Sequence, residues 1–359
     1  MWKTMKVILI IVITLIVFSI FAVVAILNHP AFGRKPSAER VQRMEHSPNY
    51  RDGMFHNEIP TPQFTGNVNM FEAMWRFLTD RRKDRVPSEP VQAVKTNLSD
   101  LSIDKDWLVW FGHSSYLFSI GGKRVLVDPV LKLEFPVSLM LHPFKGTDIY
   151  QPDDMPPIDI LIITHEHWDH LDYATLRDLR TKVNNVVCPL GVAEYLEYWG
   201  YDKNMIYETE WGEVVVMGDN KDIKITCLPS RHFSNRLTKR NQTLWASFLV
   251  ESNGRKVYIG GDGGYDHRFK RIKEQYGQVD LALMENGQYD KNWANIHLTP
   301  KDLEKAIIDL DAKQVFTVHH DKFALAKHAW SEPDSVAHEI AQKHNVALLD
   351  KPIGMIVYY

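Results

Sequence analysis

Three imidazoles and two carboxylates occupy six consecutive positions, 165–170, which read HEHWDH. The spacing differs from the H-E-x-x-H zinc motif, because Asp169 stands where that motif has its second histidine. On a helix, His165 and His170 would face in different directions. On an extended loop, His165 and His167 can point toward one metal ion, and a following turn can bring Asp169 and His170 to a second ion. The stretch therefore predicts a metal loop that serves two ions.

Two ions need more ligands than this loop supplies, and three further residues of suitable type follow apolar runs. His232 comes after IKITCLPSR, Asp262 after VYIGG and His319 after QVFTV. Each one alone is explained as a polar residue at the point where a strand leaves the core. Together with the loop they predict a dinuclear site in which the carboxylate of Asp262 bridges the ions. Imidazole and carboxylate ligands suit Zn²⁺, which we expect here, and also iron or manganese.

The elements that must position these ligands begin at about residue 105, where short apolar runs alternate with turns. Such runs predict strands, and the pairs Gly-Gly at 121–122 and Asn-Gly at 253–254 predict hairpin turns because these residues adopt positive φ. Helical patterns lie between some of the strands, in YATLRDLR, VAEYLEYWG and PKDLEKAIIDL. Many strands with interspersed helices predict an α/β layered body.

The N-terminus carries an uninterrupted apolar segment. Positions 7–27 read VILIIVITLIVFSIFAVVAIL and contain no charge. As a helix they would reach ~30 Å, the thickness of the hydrocarbon core of a bilayer. The segment exceeds the apolar region of an ordinary cleaved signal peptide. We expect residues 1–27 to form a single-pass membrane anchor, with a long signal peptide as the alternative; the flanking charges do not assign a side of the membrane.

Residues 28–100 are polar and irregular, and we expect them to form a linker and N-terminal extension. Within them, NMFEAMWRFLTDRRK at 69–83 has apolar residues at roughly helical spacing. It predicts a helix that either packs on the main body or lies at the membrane surface with its basic end near lipid phosphates.

Composition excludes several classes of protein. The chain has 42 basic and 45 acidic residues, a near balance that argues against a dedicated nucleic-acid-binding protein. Its two cysteines, Cys188 and Cys227, do not form a CxxC motif or a zinc ribbon. We interpret them as small buried residues, and a disulfide between them stays open.

Several blocks of the sequence resemble the metallo-β-lactamase family, and within it the subfamily of N-acylphosphatidylethanolamine-hydrolysing phospholipase D and the similar ascorbate-lactone hydrolases. The blocks span about residues 105–345 and extend to HPAFGRKP and SPNYRDGMFHNE in bacterial membrane-associated relatives. The resemblance implies a four-layer αβ/βα sandwich over 101–359, with a dinuclear site at one edge. The blocks are WFGHSSYLFSIGGKRVLVDPV, ITHEHWDHLDYATLRDL, GGDGGYDHRFKRIKEQYGQVDLALM, YDKNWANIHLTPKDLEKA and HHDKFALA.

The resemblance also implies a division of the ligands between two divalent ions, most simply two Zn²⁺. The first ion takes three histidines, the second takes an aspartate and two histidines, and one aspartate bridges. The sets are His165, His167 and His232; Asp169, His170 and His319; and Asp262. His319 is chosen over His320 because it stands four residues before Phe323, as in the family pattern.

Further residues are expected to contact the substrate or support the site. His297 in NIHLTP matches a family histidine close to the substrate phosphate, and His113 in GHSS matches a loop residue beside the site. Gln288 and His320 are the remaining candidates for substrate contacts. Gln288 belongs to MENGQYDKNW, a stretch more polar than its counterpart in the animal phospholipase, and this difference puts the lipid class and the leaving group in doubt.

Two acidic residues near the metal loop have alternative interpretations. Asp128 resembles a family position that hydrogen-bonds a ligand histidine, and the alternative is a turn aspartate before Pro129. Glu166 is expected to be a solvated loop residue rather than a general base.

The resulting hypothesis is a hydrolase in which a metal-bound hydroxide attacks a phosphodiester, with Asp169 or Asp262 holding the hydroxide and His297 holding or protonating the substrate oxygen. Membrane attachment, expected at the bacterial inner membrane, favours a phospholipid such as an N-acylated phosphatidylethanolamine. The alternatives are a lactone or other ester hydrolase on the same site, and a non-catalytic membrane protein with a structural metal. The expected partners are the bilayer and a lipid or small-molecule substrate, without nucleic acid; the sequence does not assign an oligomeric state.

Overall fold

The structure is a computed structural model that describes residues 2–65, 82–218, 222–236 and 240–359, together with the isolated positions Glu72, Trp75 and Thr79. The helix expected over 69–83 therefore lies almost entirely outside the described residues, and its two alternatives stay open.

The apolar N-terminal segment forms one long helix, α1 (Trp2–Leu27). Its stretch Thr4–Leu27 is long and apolar enough to cross a membrane, and none of its most apolar window is buried against the rest of the chain. A core helix of a soluble domain would be buried, whereas a signal sequence shares these properties. The helix is thus a candidate transmembrane span.

The extension after α1 packs against the main body. It contains a short 3₁₀ turn at Pro30–Phe32, the helix α2 (Ala38–Glu45) and a two-stranded hairpin formed by β1 (Tyr50–Arg51) and β2 (Met54–Phe55). The side chain of Ser37 accepts a hydrogen bond from Arg40 N and so begins α2. Phe55 is buried beside Leu244 and Trp245, so the hairpin belongs to the core of the body.

Seven strands form the first sheet, in the order β15-β3-β4-β5-β6-β7-β8. Strands β5 to β8 are parallel, and β15, β3, β4 and β5 are antiparallel neighbours. The strands are β3 (Trp107–Trp110), β4 (Tyr116–Ile120), β5 (Lys123–Val127), β6 (Ile158–Ile162), β7 (Val183–Pro189), β8 (Ile206–Thr209) and β15 (Ile356–Tyr358).

Six strands form the second sheet, in the order β14-β13-β12-β11-β10-β9. Strands β12, β13 and β14 are parallel, whereas β9 to β12 are antiparallel neighbours. The strands are β9 (Val214–Met217), β10 (Ile223–Leu228), β11 (Ser247–Ser252), β12 (Arg255–Ile259), β13 (Leu281–Glu285) and β14 (Gln314–Val318).

Three apolar clusters join these sheets to each other and to five helices. One cluster fills the space between the sheets, and each of the other two joins the outer face of a sheet to its covering helices. The predicted four-layer sandwich is confirmed, as are both predicted hairpins. The helices are α3 (Tyr173–Leu179) and α4 (Ala193–Tyr198) on the first sheet, and α5 (Arg268–Tyr276), α6 (Pro300–Leu310) and α7 (Glu332–His344) on the second.

Both cysteines are buried inside this body and are free. Cys188 lies on β7 and Cys227 on β10, each without exposed surface. The interpretation of the two cysteines as small buried residues is therefore confirmed, and the disulfide does not form.

Candidate metal centre

The metal loop connects the end of β6 to the start of α3. Ile158–Ile162 and Ile163 are buried in the first sheet, so the strand fixes where the loop begins. At the other end, the Asp172 side chain accepts a hydrogen bond from Thr175 N and caps α3. Between these points Leu171 N donates to His167 O, which closes the turn. The loop is thus held at both ends by regular structure.

Three imidazoles converge on one point at the first position of the site. His165 Nε2 lies 2.8 Å from His167 Nδ1, and His167 Nδ1 lies 3.2 Å from His232 Nε2. Two nitrogens bound to one tetrahedral Zn²⁺ at about 2.0–2.1 Å would lie about 3.4 Å apart. Three nitrogen atoms this close together are arranged as they would be around one shared metal ion.

A second group of donors lies beside the first. Asp169 Oδ2 is 3.6 Å from both His170 Nε2 and His319 Nε2. Asp262 Oδ2 is 3.2 Å from the same two nitrogens, and 3.8 Å from His165 Nε2. Asp262 therefore lies between the two groups, where a bridging carboxylate would have to be. The structure brings all seven candidate ligands together.

The far sides of the His170 and His232 rings are held by the protein. His170 Nδ1 is 2.8 Å from Asp128 Oδ2, and Asp128 also accepts hydrogen bonds from the backbone and hydroxyl of Thr164. His232 Nδ1 donates to the carbonyl oxygen of Ile296. Such contacts fix the orientation and tautomer of a ligand histidine. The structure thus agrees with the first interpretation of Asp128, a hydrogen bond to a candidate ligand histidine.

The electrostatics of the cluster suit a cation. Burial lowers the pKa of His165 and His232 well below the usual value, and lowers that of His167 to about 4. These rings are therefore neutral, and their nitrogen lone pairs are available to a metal ion. Burial alone would raise the pKa of Asp262, but the neighbouring His170 and other histidines outweigh burial and hold it well below its usual value. Neutral imidazoles and an ionised carboxylate are the forms that bind divalent metals.

Several polar atoms of the donor set lack a hydrogen-bond partner in the described part of the protein. Within the part of the chain that the structure describes, Asp262 Oδ1 and the Nε2 atoms of His170 and His319 are buried and make no hydrogen bond. A buried polar atom without a partner costs about 1–3 kcal/mol. Ligation of divalent ions would satisfy these atoms, and the nitrogen and oxygen donors fit Zn²⁺, iron or manganese.

His297 lies at the edge of the cluster and lines a cavity. Its ring stacks on His319 at 5.3 Å, and its Nδ1 is 3.1 Å from Glu285 Oε2. Burial would lower the pKa of His297, but the Glu285 carboxylate outweighs burial and raises it. With Nδ1 held by Glu285, Nε2 is the atom left for a substrate. No local pattern in the sequence indicates that Glu285 holds His297.

The other three residues expected near the substrate lie differently. His113 is fully buried, and its Nε2 is 2.8 Å from Asp169 Oδ2, so it holds a candidate ligand. Gln288 lines the cavity, but its amide donates to His319 O and Phe323 O and accepts from Leu325 N and Ala326 N.

His320 points away from the cluster. It packs on Trp110 at 4.8 Å, its Nδ1 lies 3.0 Å from Asp321 Oδ1, and it is absent from the lining of the large cavity. The amide groups of Gln288 are occupied and His320 is turned inward, so neither presents a polar group to a substrate in this structure. The Gln288 amide holds the backbone of the loop after β14, whereas the His320 ring contacts the side chains of Trp110, Thr317 and Asp321.

The expectation that Glu166 is solvated is wrong. Glu166 is 1% exposed, and it accepts a hydrogen bond from the hydroxyl of Tyr195 at 2.7 Å. Burial raises its pKa. The helix α4 and the extension cover this side of the loop, which the local sequence could not indicate.

A cavity of about 940 Å³ lies over the donor cluster. Its floor contains His167, Asp169, Asp262 and His297, among others. Its walls are mainly apolar or aromatic and come from the extension and from the loops after β5, β10, β13 and β14. They include Phe64, Val86, Met140, Phe144, Phe233, Trp293, Ile296, Phe323 and Leu325. The donors thus lie at the bottom of a cavity large enough for an organic ligand.

Comparison with known proteins agrees with this geometry. The family model described as "Beta-lactamase superfamily domain" matches residues 123–320. An uncharacterized protein of Mycobacterium tuberculosis is 34% identical over 294 residues, which cover 80% of this chain and 78% of that protein. The mitochondrial N-acyl-phosphatidylethanolamine-hydrolyzing phospholipase D of Saccharomyces cerevisiae is 32% identical over 242 residues, which cover 65% of this chain and 51% of that protein.

Among solved structures, Igni18, a metallo hydrolase from Ignicoccus hospitalis, superposes with a TM-score of 0.53 at 18% identity. The superposition covers 71% of this chain and 98% of that one. At this identity the likeness concerns the fold, which is the same sandwich of two sheets between helices. The matched family, the shared fold and the cluster of histidines and aspartates lead to one conclusion: the chain belongs to the β-lactamase superfamily and is a metal-dependent hydrolase with the metallo-β-lactamase fold.

Proposed function

We propose that the protein is a dinuclear phosphodiesterase that hydrolyses a membrane phospholipid of the N-acylated phosphatidylethanolamine type. The observation that carries the proposal is the apolar cavity of about 940 Å³ whose floor is the donor cluster. A phospholipid has the matching division into a charged phosphodiester and long apolar chains. The relatives named as phospholipases of this type support the same substrate class.

In this proposal the residues divide as the distances suggest. One ion would be held by three histidines, the other by an aspartate and two histidines, and both by one aspartate. When bound, the ions would supply Lewis acidity and a water that ionises near neutral pH. The respective ligands are His165, His167 and His232; Asp169, His170 and His319; and Asp262.

The chain's own groups would then orient the reacting atoms. Asp169 is held by His113, which leaves its other carboxylate oxygen to orient the attacking water. Asp262 would orient the same water. His297 would donate a hydrogen bond from Nε2 to a phosphoryl or leaving-group oxygen, because Glu285 fixes its Nδ1.

The polar stretch 285–288, which put the lipid class in doubt, does not make the cavity wall polar. Asn286 donates its amide to Pro333 O, and both ends of the Gln288 amide bond the backbone. Glu285 accepts hydrogen bonds from Leu298 N and from His297. These polar groups bond other parts of the protein, so the wall keeps an apolar surface that suits acyl chains. A structural metal site would be closed by its protein ligands, whereas here a cavity opens onto the donors.

The test uses the full chain reconstituted with Zn²⁺ in vesicles that contain an N-acylated phosphatidylethanolamine. We expect release of phosphatidic acid and N-acylethanolamine, with metal content close to two ions per chain. The control is His167→Ala, which removes a candidate ligand from the first position and should abolish turnover. Absence of phosphatidic acid together with efficient opening of a lactone would overturn the proposal in favour of ester hydrolysis.

A further inference from the structure

We propose that Phe135, Leu139 and Met140 form an apolar rim that lies in the interface of the same bilayer that α1 crosses, so that the cavity opens toward lipid. The inference rests on the membrane location within the proposed function, and not on the reaction.

The first observation is exposure. Phe135, Leu139 and Met140 are 48%, 67% and 51% exposed. Single exposed apolar residues are ordinary, but three within six positions form a patch of the kind that marks an interaction surface. The intervening Val137 and the following Leu141 are buried, so the segment already has an inner face and a separate outer one.

The second observation is the place where α1 ends. The ring of His29, two residues after the helix, lies 6.1 Å from that of Phe135 and 5.8 Å from that of Tyr173. Trp199 Nε1 donates to Pro30 O at 2.8 Å. Two residues of extended chain span at most about 7 Å, so the end of α1 is fixed beside the rim. If α1 crosses a bilayer, the rim lies at that bilayer's surface.

The third observation is packing beneath the rim. The buried Val137 and Leu141 form one apolar cluster with Ala31 of the extension and with Phe323, which lines the cavity. The segment after α1, the rim and the cavity wall therefore share a core. The body is not suspended on a loose linker, and the rim keeps a set position relative to the anchor.

The fourth observation links the rim to the cavity. Met140 belongs to the rim and also lines the cavity. Phe144 and Lys145, which follow Met140 in the same loop, line the cavity as well. A rim embedded in the bilayer interface would place the mouth of the cavity, beside Met140, at the level of the lipid head groups. Lys145 is exposed at the mouth and would lie near lipid phosphates. A substrate could then enter from the bilayer without crossing water.

The rim contacts the bilayer, and not a protein, because the candidate transmembrane span of this chain ends beside the rim. A second copy of the chain or another protein would instead leave the rim at a distance from lipid.

The experiment measures depth with a single spin label on the full chain in vesicles. Cys188 and Cys227 have no exposed surface, so a label reacts only with an introduced cysteine. Leu139→Cys places the label on the rim, where the native side chain contacts solvent and its loss leaves the core intact. The matched control is Ile308→Cys, also an exposed apolar residue at 48%, near the end of α6 that lies away from the metal loop.

We expect the ratio of oxygen to water-soluble nickel-chelate accessibility to be several-fold higher at position 139 than at 308. Equal, water-like ratios at both positions would overturn the proposal, and so would lipid-like ratios at both. A dry label at 139 that is accessible to neither reagent would indicate a protein partner and would also overturn it. The measurement does not depend on turnover, so it stands apart from a failure of the proposed reaction.

Discussion

In the proposed function, His297 is the histidine of the cluster that meets the substrate. Its Nδ1 is held by Glu285, and its ring lines the cavity beside His319, on which it stacks. The three rings of the first ligand group, in contrast, point their nitrogens at one another. The chemistry assigned to His297 is thus hydrogen bonding or proton donation rather than ligation.

His297→Gln is expected to lower kcat by about 10²-fold or more, the usual contribution of a positioned acid or base. The amide keeps a similar size, so metal content should stay at the wild-type value. The measurement is steady-state turnover of the vesicle lipid, with metal analysis of the same samples. Loss of metal in this variant would show that His297 acts as a ligand and would contradict its assigned role.

Among the elements, Arg236 ties the metal loop to the segment that follows α1. The buried guanidinium donates to the carbonyl oxygens of Glu166 and Leu171, which stand before and after His167, Asp169 and His170, and to Ala31 O. It also lies 4.0 Å over the ring of Trp168. Trp168 packs in turn on Phe32 at 5.1 Å, so the extension helps to set the loop's conformation.

Arg236→Lys is expected to weaken metal binding by roughly 10–100-fold, the range seen when outer contacts of a metal site are removed. A lysine keeps the charge but cannot reach three carbonyl groups with a planar fork. Metal affinity is measured by competition with a chelator. Arg180→Lys, at an exposed residue whose guanidinium donates to Trp199 O, is the control and should bind metal as the wild type does. If Arg236→Lys and Arg180→Lys bound metal with equal affinity, Arg236 would not support the metal loop as proposed.

At the scale of the whole molecule, the two sheets contribute to the site from separate halves of the sandwich. The metal loop follows β6 of the first sheet, whereas His232, Asp262 and His319 follow β10, β12 and β14 of the second. Ions bound between these loops would link the halves, and binding to the folded state alone raises its stability.

Removal of metal is therefore expected to lower the free energy of unfolding. At a free ion concentration a hundredfold above Kd, each site contributes about 2.7 kcal/mol. Calorimetry of the chelated and the Zn²⁺-loaded protein should show a lower Tm for the former, reversed by adding Zn²⁺. In His167→Ala the difference should shrink. An unchanged Tm after complete chelation would contradict a link between the two halves.

The sequence predicted much of the fold because strands and their loops carry local signals. The apolar runs that end at His165, Asp262 and His319 are strands that end at one edge of the sandwich, and the hairpins at 121–122 and 253–254 follow from residues that adopt positive φ. The elements that were not predicted include β7, α5 and α7, and also the short strands β8, β9 and β15. β7 is interrupted by two asparagines, and α5 and α7 are rich in polar residues, so their apolar patterns are weak.

The amino-acid sequence was enough to indicate which groups could bind metal and that they follow strands, because a ligand's type and its position at a strand end are local properties. Which polar groups remain free depends instead on how the whole chain packs. Glu166 is covered by Tyr195, the Gln288 amide is consumed by nearby backbone, and Arg236 reaches Ala31 over 205 positions of the chain. Each of these contacts joins elements whose meeting depends on the packing of both sheets, and no local pattern encodes it.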